Sequence, residues 1–219
     1  MIIVRGGVTC HGNRTRLMGC FDQECCYGGI LPQGVFLTDQ EMWDQAVAMV
    51  REEYAALPVE AKSEVRLLCS VIRSKKEELY SIAESSGAPG LCAVCGGACC
   101  CKGKYHFTVI DLLAYLSEGF TLFSPDFHGG QCPYIREGRC LMSPQFRPLT
   151  CIVFHCEPLE RMMSCDELER TYSLERGLRE NYGRLEEFFG IRLSQGLILN
   201  YAAYLRGRSA GILAGAGGA

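Results

Sequence analysis

The sequence predicts a mainly α protein: a helical hairpin, then a Cys-rich, loop-dominated core closed by C-terminal helices. Three observations predict it. Helix-start signatures recur at Thr38-Asp-Gln-Glu41, Thr108-Val-Ile-Asp111 and Ser164-Cys-Asp-Glu167, each followed by apolar residues at helical spacing. Strand signals are confined to Gly34-Val-Phe-Leu37 and Cys151-Ile-Val-Phe154, short enough to read as extended loop. Fifteen cysteines are present, and eight of them fall in three short bursts within Gly- and Pro-rich sequence.

Residues 1–36 are rich in Gly and Cys, lack helical periodicity and form a Cys-rich N-terminal arm. After the Thr38 cap, Trp43, Ala46, Val47 and Val50 recur at i, i+3, i+4, i+7, and Pro58 ends the run. A second helix over 59–84 carries Val65, Leu68, Ile72, Leu79 and Ile82 on one stripe, with Glu and Lys opposite. The two make the hairpin, residues 37–86. Gly87-Ala-Pro-Gly90 is the clearest boundary, and residues 87–206 form the cysteine-cluster unit with its C-terminal helices. Thr108 opens a short helix with Val109, Leu112, Leu113 and Leu116 inward, and residues 119–163 read as mostly irregular. Beyond Ser164 the stripe Leu168, Tyr172, Leu178, Tyr182, Leu185 and Phe189 implies about six turns ending at Gly190. A last helix spans 193–206, and the small residues of 207–219 read as a disordered tail.

Composition excludes several function classes. Net charge is −3 and the basic residues are dispersed, so a nucleic-acid footprint is not expected. No run is apolar and long enough for a bilayer, and only four apolar residues precede the first N-terminal charge, so neither membrane span nor signal peptide is expected. The expected location is cytoplasmic, where thiols stay reduced. A disulfide scaffold is usually small, secreted and even in cysteine, unlike this chain. No P-loop, GxGxxG, HExxH or GxSxG motif occurs.

The bursts are Cys92-x-x-Cys95-x-x-x-Cys99-Cys100, Cys132-Pro-Tyr-Ile with Cys140, and Arg147-Pro-Leu-Thr-Cys151 with Cys156. A thiolate is a soft donor suited to zinc or iron–sulfur, and several buried together are costly unless a cation neutralises them. Cys92-x-x-Cys95 has the spacing at which a tight turn aims two sulfurs at one ion, and Gly96-Gly97 lets the backbone wrap it. Eight thiolates equal two four-ligand sites, or one cluster and a smaller site. Metal bonds would also hold an irregular segment that has no backbone ladder.

Taken in order, these motifs resemble the YkgJ-like cysteine-cluster family, described as zinc- or iron-chelating CxxCxxxCC domains. The resemblance covers residues 92–156: Cys92, Cys95, Cys99, Cys100, the Thr108/Asp111 helix start, Cys132-Pro-Tyr-Ile, Cys140, Arg147-Pro148, Cys151 and Cys156. Two positions depart from its pattern: Ile152 stands where Arg is usual, and Met142-Ser143 where an aliphatic-Tyr pair is usual. The resemblance implies metal chelation. A similar cluster accompanies flagellin lysine methylases, which makes an enzyme role imaginable.

Cofactor identity is left between an iron–sulfur cluster and zinc, the excess of thiols over histidines favouring iron–sulfur by a small margin. Cys10, Cys20, Cys25 and Cys26, with His11 beside them, form a candidate second metal site in the arm. Cys69 reads as a small buried hydrophobe, Cys165 as a spectator at a helix start, and Cys101 as a spare or substitute ligand. His155, between Cys151 and Cys156, is a candidate ligand or supporting donor, whereas His106 and His128 read as satisfying local backbone. Arg136, Arg139 and Arg147 are placed to offset cluster charge. The functional expectation is a metal-binding protein, structural or electron-transferring, acting with a protein partner. The alternative is a redox or methyl-transfer enzyme using the centre. Thiol–disulfide exchange through Cys92 and Cys95 would need a βαβ context that the sequence lacks.

Overall fold

The computed structural model describes residues 37–95, 103–129 and 132–213. Helix α1 (Asp39–Ala56) starts at a complete capping box: the Glu41 carboxylate accepts from the Thr38 N–H at 2.7 Å, and the Glu41 N–H donates to the Thr38 hydroxyl. Its buried face is Met42, Trp43, Ala46, Val47 and Val50. Pro58 then caps α2 (Val59–Ser85), whose buried stripe runs from Val65 through Leu68, Cys69, Ile72 and Leu79 to Ala83. Ile82, expected on that stripe, is half-buried.

The two helices do not close on each other as a hairpin. α2 packs mainly on α7 (Cys165–Phe189), on α4 (Val109–Glu118) and on the turn at Pro144–Phe146, and α1 on α8 (Leu197–Leu205) and α4. The reason is α4 (Val109–Glu118), which buries eight of its ten residues and so is covered on all sides rather than along one inward stripe. A helix of that kind must be surrounded, and both earlier helices lend it their apolar faces. One hydrophobic cluster accordingly joins α1, α2, α4, α7 and α8, with no separate core for residues 37–86.

Lys76, expected with the exposed charges, is fully buried on the α2 stripe. Its Nζ lies 2.7 Å from Asp111 Oδ1, both side chains being inaccessible. Asp111 also accepts from the Tyr182 hydroxyl at 2.9 Å and, through its other oxygen, from the Thr108 N–H and hydroxyl. The Thr108 cap therefore does more than start α4. It ties α2, α4 and α7 together through one carboxylate.

The presumed boundary at 87–90 is partly helical. Gly87 adopts φ of +92°, as a helix stop requires, but α3 (Ala88–Cys95) begins immediately after it with Pro89 in its first turn. Cys92 and Cys95 are thus residues of a helix, not of a tight turn.

Residues 119–163 hold a ribbon of β1 (Ile135–Arg136) and β2 (Arg139–Cys140), a 3-10 turn at Pro144–Phe146, and short helices α5 (Leu149–Val153) and α6 (Glu157–Glu160). Cys151 therefore sits in a helix rather than an extended loop. Aromatic rings anchor this segment. Phe123, Phe127 and Tyr134 contact Trp43 at centroid separations of 5.7–5.9 Å, and Phe146 stacks on Tyr115 at 4.2 Å. Ring burial thus supplies much of the hold that the sequence left to metal bonds.

Helix α7 (Cys165–Phe189) starts at the Ser164/Glu167 capping box and stops at Gly190, φ +65°. It buries Thr171, Leu174, Leu178, Asn181, Tyr182, Leu185 and Phe189, while Leu168 and Tyr172 are half-buried. α8 (Leu197–Leu205) starts later than expected, because the Leu193 and Ser194 N–H groups donate to Glu186 instead of entering a helix. Residues 207–213 are not a loose tail: Ile212 and Leu213 are buried and their N–H groups donate to the Glu53 carboxylate. Among the described residues no helix is long and apolar enough to cross a membrane.

Candidate metal centre

Local devices fix the positions of Cys132, Cys140 and Cys151. The Ile135 N–H donates to the Cys132 carbonyl at 3.1 Å, turning the chain directly into β1. Glu137 (φ 52°) and Gly138 (φ 73°) then reverse it, and Cys140 returns paired opposite Ile135. Eight residues of sequence are folded so that Cys132 and Cys140 flank one end of the ribbon. Cys151 arrives separately: Pro148 caps α5, and the Cys151 N–H donates to the Pro148 carbonyl at 2.9 Å.

A fourth segment meets them. Cys132 packs its thiol so closely on Gly103 that any Cβ at 103 would collide with Sγ. Gly103 opens the single 3-10 turn of residues 103–105, and its carbonyl accepts from the His106 N–H at 3.0 Å. The next ring is therefore delivered beside the same sulfur, and His106 Nδ1 lies 3.3 Å from Cys151 Sγ. His106 was expected to serve its own backbone; instead it faces a thiol 45 residues away. Its position was the available signal, since it sits two residues before a buried cap, which confines the ring to the rim of the core.

The electrostatics agree with this gathering. Burial pushes the Cys132 thiol up, opposed by the Tyr134 N–H and reinforced by Cys140. Cys151 is pushed up more strongly, first by desolvation, then by Cys132, Cys140 and Asp111, against a smaller opposing effect of Arg147. Cys151 nonetheless keeps an exposed face, so the protein crowds its sulfur without sealing the residue off. Burial pushes His106 down, against the attraction of Asp111, leaving a neutral imidazole with a lone pair at neutral pH. Cys132 and Cys151 as they stand are uncharged thiols beside a neutral ring, and a divalent cation would convert them to thiolates.

The remaining candidates lie elsewhere. Cys156 caps α6 and packs into a smaller cluster of Ala83, Leu159 and Met163, joined by Ala88 and Leu91 of α3. Cys92, on α3, is exposed and adds to the upward push on Tyr80, after burial and Glu84. Among the described thiols, Cys132 and Cys140 pack with the main core and Cys156 with the smaller cluster beside α3 and α6. The Cys95 side chain, Cys99, Cys100, Cys101, and Cys10, Cys20, Cys25, Cys26 and His11 lie outside the described residues. Cys165 is not a spectator but disulfide-bonded, its partner outside the described side chains. Cys69 is a fully buried core residue, its thiol pushed up to about 12 by desolvation.

His155 is half-buried and pushed down by desolvation, with Glu175 opposing. His128 is exposed, its Nδ1 3.1 Å from Asp126 Oδ1. Arg147 donates to the Met142 carbonyl at 3.3 Å and lies over the Tyr80 ring, whereas Arg136 donates to the Ser124 carbonyl and, after His128, helps hold the Asp126 carboxyl down. Ile152 and Met142 are buried in the main core.

Among the described residues no three Cys, His, Asp or Glu donors stand close enough to enclose an ion in the present side-chain positions. A cleft of about 190 Å³, lined by His106, Thr108, Thr150, Arg179, Tyr182 and Ser194, opens the His106 side to solvent. A larger groove of about 420 Å³, between α1 and α8, is lined by neither Cys nor His. None of the protein-family models, curated proteins or solved structures compared with this chain matches it.

Proposed function

We propose that this is a metal-binding protein that holds zinc or an iron–sulfur cluster through cysteine thiolates, as a structural or electron-transfer module acting with a protein partner in the cytoplasm. The observation that carries it is that Cys132 and Cys151, from separate segments, both border the turn of residues 103–106, one against Gly103 and the other against His106. Thiols brought near one another without a cation gain little from it, because each ionised sulfur would raise the cost of the next. The motif order that resembles the YkgJ-like family points the same way, with chelation as the implied property.

A cysteine sulfur sweeps about 3 Å when χ1 passes between staggered wells, so thiol positions are adjustable where a metal binds. The thiols of Cys92, Cys95, Cys99, Cys100 and Cys156 supply the remaining soft donors, suited either to a cluster or to a second zinc.

The test is metal content. Full-length protein purified without oxygen is expected to carry bound zinc, or iron with acid-labile sulfide and visible absorption. Cys132→Ser is expected to lower the metal content, whereas Cys69→Ala leaves it unchanged. Soluble, folded protein with neither iron nor zinc under those conditions would end the proposal.

A further inference from the structure

We propose that the groove between α1 and α8 binds a free single-chain amphipathic anion, an alkyl carboxylate whose tail lies along α8 and whose head meets Arg206 and Arg208. This goes beyond the thiolate reading above and does not depend on it. The groove encloses about 420 Å³, within the size range of small-ligand sites. Ile198, Leu199, Ala202 and Arg206 fall at i, i+1, i+4 and i+8, so they share one face of α8 and line the groove along its length. Met42 of α1 lines it from the other side. Leu199 is 42 % exposed, and the methyl side chains of Ala202 and Ala203 are too short to fill the space in front of them. The floor is therefore apolar and only partly covered.

Charge selects the occupant. Past the last turn of α8 the lining changes from apolar to cationic: Arg206 and Arg208 are exposed, and among the described residues neither forms an ion pair. A guanidinium donates two parallel N–H bonds to a carboxylate, which an alcohol cannot match and an amine would oppose. Because both arginines stand at the exposed end, the head group keeps its water while the tail loses it, so no charge has to be buried. A peptide fits less well. A helix laid along the nine residues of α8 would itself occupy about 1,300 Å³, three times the groove. An extended peptide would bring backbone N–H and C=O groups that two helices, already bonded within themselves, cannot answer. A single alkyl chain has neither problem.

Titration calorimetry on the full chain, with octanoate, decanoate and dodecanoate held below their micelle concentrations, tests this. One equivalent is expected to bind, about three- to fourfold tighter for each methylene added. Replacing both arginines (Arg206→Gln with Arg208→Gln) is expected to weaken decanoate by roughly tenfold or more and to leave decanol unchanged. Ala203→Phe, which fills the groove, is expected to weaken decanoate and decanol alike by at least about tenfold. Should that variant misfold, the arginine pair still decides, since both side chains are on the surface. Absence of decanoate and dodecanoate binding would overturn the proposal, as would equal affinity for decanoate in the arginine variant, or several equivalents of one affinity. Binding to phosphatidylglycerol vesicles without binding of the free carboxylates would overturn it too, in favour of a membrane surface. Metal content enters none of these outcomes, so the thiolate reading stands or falls separately.

Discussion

At the scale of single residues, Lys76 and Asp111 decide most. Both are fully buried, and Asp111 answers Lys76, Tyr182 and Thr108 at once. Removing one member of a buried ion pair strands the other in a low-dielectric interior, at a cost of about 3–5 kcal/mol. Asp111→Ala should therefore lower the unfolding free energy by that order in urea titration. Lys76→Met should cost less, because the stem still fills its space and Asp111 keeps its three hydroxyl and N–H donors. Equal and small losses from both would show that the network is not what joins the helices. Lys76 was not legible as a core residue, since its neighbours in sequence are charged and only Asp111, 35 residues on, explains its burial.

At the scale of elements, the junction between the 105–108 segment and α8 is the sharpest constraint. Thr108 and Gly196 form an isolated antiparallel bridge, and the Leu197 N–H donates to the Phe107 carbonyl at 2.7 Å. A Cβ at 196 would run into the Tyr105 carbonyl oxygen, which is backbone and cannot swing away. Gly196→Ala should cost about 1–3 kcal/mol by overpacking. Gly183→Ala provides the contrast: it lies within α7 with open space around its would-be Cβ, and should raise stability by about 0.5–1 kcal/mol. Chemical denaturation of the two variants checks both signs, and a stabilising Gly196→Ala would refute the junction's role. The caps that start α1, α4 and α7 were readable from four residues each; this junction was not, because it joins positions 88 residues apart.

At the scale of the whole molecule, burial of several weak acids links stability to alkaline pH. The Cys69 thiol is pushed up to about 12 by desolvation, and Tyr115, Tyr134 and Tyr182 are raised by burial first, then by nearby negative groups. In the unfolded chain these groups ionise nearer 9.0 for Cys and 10.0 for Tyr. The folded state therefore holds protons that the unfolded state releases, so stability is full below about pH 9 and declines as pH rises beyond it. Unfolding midpoints measured from pH 8 to 11 should fall, and Cys69→Ala should shallow the first part of that fall. A flat profile would mean that these groups are less buried than the core places them.

The amino-acid sequence by itself determined where α1, α2, α4 and α7 begin, which residues most of them bury, and that soft donors cluster late in the chain. Capping, stop glycines and 3.6-residue periodicity act over a few neighbours, so they can be read without knowing the fold. Only tertiary structure decided that α1 and α2 turn to α4 instead of to each other, and that aromatic rings pack residues 119–163 onto the core. It alone brought His106 to Cys151. Those outcomes depend on which surfaces meet when the chain is packed to solid density, and spacing along the chain carries no record of a contact made across it.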